Sequence, residues 1–453
     1  MTEDIKELRK QRLGRYQAVI AMEPTDRVPT AFSTNYFYEK QSKYTMQQIM
    51  YDPKIWTQIE LDAAKKYPEV DTFRTNQRWA PTYDIMGSIQ YKIPGRDLPP
   101  NSLHQYIEKE WMKADEYKMF IDNPIEYRLN YYLPRVMGEL KDKSSLRFYI
   151  AFFKAGAAQV IMRDIMHKKN MRLIKEVGYV PPTQGGFLAP FDYLSDHYRG
   201  LYGIMKDMFR QPDNVKEACE ALVPIIVNMA KATADPNKQL PIFNATHKPS
   251  FLSPKQFDEF YWPTFKKCLM MLIEDGWKIR IFLEGDWSPH WHHLTEIPKG
   301  SIICDIDDGV DIFEAKKAFG QKHCITGGIP TEMLILGTPD DIRNRVKELC
   351  ETVGKDGGWI PNGGGHIPAD TKPENYQALL DSVLEYGRYS DGPPPEPKTV
   401  SKETKNIDNM KQEVITPWDT VKKEYGWEVP GDEELIKYYW DMFEQMVYRW
   451  IMG

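Results

Sequence analysis

Two carboxylates and three histidines follow directly on an apolar run in Ile279-Arg-Ile-Phe-Leu-Glu284-Gly285-Asp286-Trp-Ser-Pro-His290-Trp-His292-His293. Carboxylate oxygen and imidazole nitrogen are donors that hold Zn²⁺ at about 2.0–2.2 Å. A carboxylate that ends an apolar strand, as Glu284 does, is costly unless it is paired or bound to metal. His247, Asp305 and His366 stand at the ends of three other apolar runs. Three such donors with a fourth position open would make a Lewis-acid centre. Each residue also has a plainer reading. His247 could be a hydrogen-bonded loop histidine, and Asp305, Asp307 or Asp308 could cap the next helix. Of the three clustered histidines, helical spacing lets only His290 and His293 share a face, and the pocket rim or the surface suits them.

These residues converge only if the chain builds a suitable scaffold. Five strand–helix units follow one another: strands 239–245, 278–283, 301–306, 323–326 and 357–360, with helices 254–275, 289–296, 311–319, 338–353 and 373–388. Alternation at this spacing means a parallel sheet with right-handed crossovers. Length and even rhythm favour a (β/α)8 TIM barrel over a doubly wound sheet. No G-x-G-x-x-G opens a helix after a strand, which weakens the dinucleotide-binding alternative. A first strand starts at Asp26-Arg27-Val28-Pro29 and leaves through Thr34-Asn35-Tyr36-Phe37-Tyr38. Helices are expected at 3–22, 45–66, 149–168, 198–210 and 213–233, the early ones as N-terminal additions to the barrel.

All strand ends of a parallel barrel lie on one face. His247, Glu284, Asp305 and His366 are therefore expected at one mouth, with Tyr36 and the Gly185–Phe191 loop. The barrel is expected to fill residues 1–390, followed by a Pro-rich linker at 391–414 and a helical extension at 415–453. The last helix, 431–451, has a face too apolar to be left in water; it must pack on the barrel or on a second copy in a homodimer.

Composition narrows the classes. A net charge of −6 over 453 residues gives no basic footprint, so nucleic acid is not expected as a partner. No run of about eighteen apolar residues occurs, and the start of the chain is polar and charged, which together point to the cytoplasm. Cys219, Cys268, Cys304, Cys324 and Cys350 are scattered, odd in number and without a C-x-x-C pair, as expected of reduced thiols.

From Asp26 to Tyr389 the chain resembles the uroporphyrinogen decarboxylase superfamily. The resemblance rests on Asp26-Arg27-Val28-Pro29, Leu252-Ser253-Pro254-Lys-Gln-Phe257-Asp-Glu-Phe260, Gly327-Gly328-Ile329-Pro330, Asn362-Gly-Gly-Gly-His-Ile-Pro and Thr371-Lys-Pro373-Glu374-Asn375. It implies a (β/α)8 barrel. The decarboxylases carry an Arg-Gln-Ala-Gly-Arg-Tyr stretch after the first strand, whose arginines hold substrate carboxylates. Here that stretch reads Ser33-Thr-Asn-Tyr-Phe-Tyr-Glu-Lys, without arginine. The other branch comprises corrinoid-dependent zinc methyltransferases. Their thiol-methylating members use His-x-Cys at one strand end and a cysteine in the last Gly-rich loop. This chain has Phe282-Leu283-Glu284 and Gly364-Gly365-His366 there, with His366 one position past the cysteine it would replace.

Loss of both thiolates implies an oxygen substrate, similar to the methyltransferase components of anaerobic aryl methyl ether O-demethylases. The resemblance then implies Zn²⁺ on Glu284 and His366, with His247 or Asp305 as third ligand, and Glu284 and Asp305 in the catalytic role. It implies Tyr36, Phe37, Phe187, Phe191 and Asp192 around the aromatic ring. It also implies a separate corrinoid (cobalamin) protein as partner, because the Asp-x-His-x-x-Gly corrinoid signature is absent and Asp196-His197-Tyr-Arg-Gly200 has another spacing. Methyl transfer from a methylcorrinoid to a thiol or tetrahydropterin, and decarboxylation, are the alternatives.

Overall fold

A computed structural model describes residues 1–75, 78–398 and 418–452. Its centre is a six-stranded parallel sheet whose strands lie in chain order: β1 (Gly186–Leu188), β2 (Ile242–Thr246), β3 (Ile279–Leu283), β4 (Ile302–Ile306), β5 (Cys324–Gly328) and β6 (Trp359–Asn362). Two extended segments supply the missing staves. Thr34 bridges Ile367 beyond β6 in parallel. Asp71 N–H donates to Thr30 O at 3.0 Å, and Arg74 Nη1 reaches Thr183 O, just before β1, at 3.5 Å. The result is the (β/α)8 barrel expected from the alternation. The first two staves pair sparsely for a local reason. Pro29 has no N–H to give, and the Asp71 carboxylate intercepts the N–H of Thr30 at 2.9 Å.

Register and side-chain contacts divide the strand residues into two sets. Ile279, Ile281, Leu283, Ile302, Cys304, Ile306, Ile325 and Trp359 are buried on the outer face, which is why these strands read as apolar runs. Their neighbours Arg280, Asp305 and Thr326 point inward. The floor of the barrel is closed by helix α1 (Glu3–Ile20), whose Tyr16, Val19 and Ile20 pack with Ala31, Ile303, Cys324 and Ile360. Above this floor Arg280 Nε lies 2.8 Å from Asp305 Oδ2, and Thr326 Oγ1 donates to Asp305 Oδ1 at 2.6 Å. Both ionic side chains are fully buried. Removing one partner of such a pair leaves an uncompensated charge. Arg280→Met should lower folding stability by about 3–5 kcal/mol; a chemical-denaturation midpoint unchanged from the parent would refute this.

Asp26-Arg27-Val28-Pro29 is a clamp. Arg15 bridges Asp26 at 2.8 Å and Asp71 at 2.5 Å, and Arg27 reaches Asp71 at 3.0 Å. Helix α2 (Leu146–Val177) is longer than the expected 149–168. Its Ser145 cap and the left-handed Gly178 that ends it fix both limits. Helix α3 (Pro212–Thr233) packs over β1. The terminal helix α4 (Glu433–Met452) meets the barrel at its end. There Ile451 is buried, its carbonyl accepts Arg128 Nε, and Tyr448 Oη donates to Ile225 O at 3.5 Å. Of the expected linker, residues 391–398 run beside α1, with Lys398 N–H on Gln17 Oε1 at 2.8 Å. The remainder, 399–414, and the first three residues of the extension lie outside the described residues. Among the described residues no helix is long and apolar enough to cross a membrane.

Candidate active site

The mouth is built where the strands end. His247 follows β2 directly and Glu284 follows β3. His247 Nε2 faces Glu284 Oε2 at 3.9 Å. Thr246 links the two strand ends, donating to Phe282 O at 2.7 Å and accepting Glu284 N–H at 3.3 Å. Gly285, with φ near +75°, turns the chain away, and its N–H donates to Asp307 Oδ2 at 2.7 Å. A Cβ there would lie 2.8 Å from Ser250, so the turn demands glycine.

Behind His247 stands a carboxylate. Nδ1 of His247 bonds Asp196, which also takes Lys248 Nζ at 2.6 Å. A carboxylate on one ring nitrogen fixes the tautomer and aims the other nitrogen at an incoming ligand. Asp196 is delivered by a π-helical turn, Ser195–Arg199. Burial pulls the imidazolium down most strongly, but Asp196, Asp192 and Glu284 together push His247 up to about 9. Burial raises Glu284 above the usual carboxylate range, opposed by His247. The ordinary histidine value is near 6.5, so the stabilisation from this raised pKa is fully present below about pH 6.5. It is lost as pH rises through about 9. Because a ligand imidazole must be neutral, Zn²⁺ uptake at neutral pH should release a proton from His247, and affinity should climb toward pH 9. Zinc titration in weakly buffered solution with a pH indicator checks both; pH-independent uptake without proton release would contradict it.

His366 approaches from the other side. Its Nε2 lies 3.1 Å from the amide nitrogen of Asn35, at the exit of the first stave. The amide donates there, so Nε2 is the lone-pair nitrogen. Burial lowers the pKa of this imidazole, keeping it neutral. Gly365 (φ near +67°) lets the loop pass Phe282, whose ring a Cβ would strike at 2.2 Å. The structure thus brings His247 and Glu284 together and ties His366 to Asn35. Three donors within 4.8 Å of one another occur, among the described residues, at Asp258, His292 and His293. There the neighbouring histidines His292 and His293 converge, and His290 instead stacks on Phe257 at 3.9 Å. His293 already spends both nitrogens on carboxylates, Asp258 at 2.7 Å and Glu296 at 2.8 Å, which satisfies it without an ion.

Four expected positions need correction. Asp305 lies in the interior beneath the rim, with both oxygens engaged by Arg280, because it precedes the strand's last residue instead of following it. Phe37 turns into the core, 4.5 Å from the Tyr376 ring, and Phe191 is buried against Tyr261 at 5.9 Å. Asp192 is fully buried and structural in its contacts, accepting Lys248 N–H at 3.0 Å and Tyr261 Oη at 2.7 Å. Burial holds its carboxyl well above the usual range, with His247 opposing. It positions the loop after β2 and does not face the mouth. Tyr36 is buried, its hydroxyl 2.8 Å from His104 Nδ1. Phe187 lines a cavity of about 310 Å³ with Leu188, Tyr193, His197, Phe243 and Ala245. That is the low end of ligand-pocket size and suits one substituted benzene ring. Sequence reading passed over Asp196; its signal lay only in the Asp196-His197 pair, set aside as a failed corrinoid motif.

Residues 163–386 match the family described as uroporphyrinogen decarboxylase (URO-D). They form a uroporphyrinogen decarboxylase family domain. Uroporphyrinogen decarboxylase of Pseudoalteromonas translucida is 26% identical over 190 residues, covering 41% of this chain and 52% of that protein. The decarboxylase of Pseudomonas fluorescens is 30% identical over 137 residues, covering 30% of this chain and 38% of that one. The chain thus spans about half the length of the first relative and less of the second. A solved methyltransferase from Methanosarcina mazei superposes with a TM-score of 0.56 at 18% identity, covering 83% of this chain and 98% of its own. That likeness shows the shared fold. The URO-D-type barrel here lacks arginine through Ser33–Lys40.

Proposed function

We propose that this protein is a zinc-dependent methyltransferase that moves the methyl group of a methoxylated aromatic compound to the cobalt of a separate corrinoid protein. The observation that carries the reading is the His247–Glu284 pair at the mouth, backed by Asp196 and set beside an apolar cavity. The donor set fits zinc: imidazole nitrogen and carboxylate oxygen are its ordinary ligands. All five cysteines are buried and none belongs to this donor set, so the set suits an ether oxygen better than a thiol. Glu284 and His247 would hold the ion, with His366 as third ligand once Asn35 releases its nitrogen. Bound there, zinc supplies Lewis-acid polarisation of the ether oxygen.

The chain's own residues do the rest. Phe187, Leu188 and Phe243 bind the ring. Asp196 keeps His247 in one tautomer, and Lys248 keeps Asp196 ionised. The methyl carbon–oxygen bond breaks with its electron pair left on oxygen, giving a phenolate. Cobalt(I) on the partner would supply the electron pair for the new methyl–cobalt bond. Porphyrinogen decarboxylation is disfavoured because the arginine-bearing stretch is absent after the first stave. Incubation of the zinc-loaded protein with reduced corrinoid protein and a panel of methoxyarenes should release one phenol. Absence of phenol across the panel would overturn the assignment.

A further inference from the structure

Arg78 is a half-buried arginine whose setting calls for a ligand. Of the fully buried arginines, Arg15, Arg199 and Arg280 face a carboxylate, at 2.8, 2.5 and 2.8 Å, while Arg12 and Arg128 donate to backbone carbonyls, Arg128 also to the Tyr198 hydroxyl. Arg78 makes no ion pair among the described residues. Its Nε is buried without a hydrogen-bond partner, and among the described residues the rest of the fork meets only phenol hydroxyls, Tyr83 at 3.5 Å from Nη1 and those of Tyr36 and Tyr91. The guanidinium lies over the Tyr91 ring, 5.5 Å from the centroid. A buried charge without a counter-ion is costly, and its cost falls when an anion binds.

Location ties this charge to the site. Arg78 stands three residues beyond Thr75, at the exit of the second stave, and interacts with the Tyr36 hydroxyl. Tyr36 follows Asn35, whose amide touches His366. Tyr36 is also held in the left-handed region, with φ near +63°. That conformation is rare for a tyrosine and persists where the surroundings impose it. From Tyr36 an aromatic wall continues through His104, Tyr91 and Tyr106 to His197 at the cavity, with successive ring centroids 6.1, 6.1, 5.1 and 6.3 Å apart. The Arg78 fork thus lies over one ring of this run, that of Tyr91.

We propose that Arg78 binds a carboxylate carried by the aromatic substrate, which makes that substrate a methoxybenzoate. This rests on the methyl-transfer reading for the methoxy group, but not for the carboxylate. A planar guanidinium stacked on a ring matches a carboxylate through two parallel hydrogen bonds. The same chemistry could serve a free phosphate, so the test carries both.

The test is calorimetric binding to the full-length protein, which needs neither metal nor corrinoid. The ligands are 3-methoxybenzoate, its uncharged counterpart 3-methoxybenzyl alcohol, and inorganic phosphate. The parent should bind the benzoate about 10–100-fold more tightly than the alcohol, the range expected for hydrogen bonds to a charged group. Arg78→Gln should bring the benzoate down to the level of the alcohol, and Arg78→Lys should keep part of the preference. Thermal melting of each variant separates this from loss of fold, and the lysine variant retains the charge if the glutamine variant unfolds. Equal binding of both aromatic ligands by the parent would overturn the proposal. So would a benzoate preference surviving in Arg78→Gln, or phosphate displacing the benzoate at equal concentration. Benzoate binding that depends on Arg78 without any methyl transfer would sink the methyltransferase reading alone. Methyl transfer from uncharged methoxyarenes, indifferent to Arg78, would sink the carboxylate alone.

Discussion

On the proposed function, Glu284→Ala should abolish zinc binding at the mouth and lower methyl transfer by about 10²–10³-fold or more, the loss expected when a preorganised charge at the reacting oxygen is removed. Glu284 is one of only two donors already facing each other there, at 3.9 Å. Its backbone is fixed by Thr246 and by the Gly285 turn, so shortening the side chain removes the ligand without moving the strand. His292→Ala is the matched control. It dismantles the rim cluster with Asp258 and His293 and should leave zinc at the mouth and turnover intact. Elemental analysis after gel filtration, with phenol release measured on the same samples, decides between the two places. Retained zinc in Glu284→Ala together with lost zinc in His292→Ala would move the metal to the rim.

Asp196→Asn should cost about 10–100-fold in zinc affinity, although Asp196 touches no metal. Asparagine keeps the shape but removes the charge that holds His247 in place and pairs with Lys248. The main force raising His247 is lost with it, so the value near 9 should fall toward the ordinary range. The steep rise of zinc affinity up to about pH 9 should then flatten and begin at lower pH. Competition with a chromogenic chelator across that range measures both quantities. Unchanged affinity and pH dependence would mean that His247 is not a ligand.

The sequence carried the barrel because its signal is periodic. Apolar strands of about five residues, buried on both faces, alternate with helices that begin at visible caps such as Ser253 and Thr338. The first two staves were harder to see, since Asp71 replaces ladder bonds with a side chain. β1 was seen only as a Gly-rich loop, because three residues are too short for a pattern. Position at a strand end brought out His247 and Glu284, which the fold sets 3.9 Å apart. It failed for Asp305, where one residue of register decides between rim and interior. It failed too for Phe37 and Phe191, since sequence alone does not tell a ring that clamps a ligand from one that fills the core. Several family motifs proved to be scaffold. Asn362 holds the Gly365 carbonyl at 2.9 Å, and Asn375 ties down Leu334 and Gly337 carbonyls at 3.0 Å. Asp196 meets a partner 51 residues away, and Arg78 lies over the ring of Tyr91, thirteen residues on. No local pattern announces Arg78, and the Asp196-His197 pair is a weak one.

The most direct test is the fate of the methyl group. Zinc-loaded protein, a reduced cobalt(I) corrinoid protein and trideuteromethoxybenzoate should give methylcobalt, seen in the visible spectrum, and hydroxybenzoate in equal amounts. All the deuterium should be found on cobalt, and a chelator should stop both products together. Hydroxybenzoate without deuterated methylcobalt, or carbon dioxide in place of either, would contradict it.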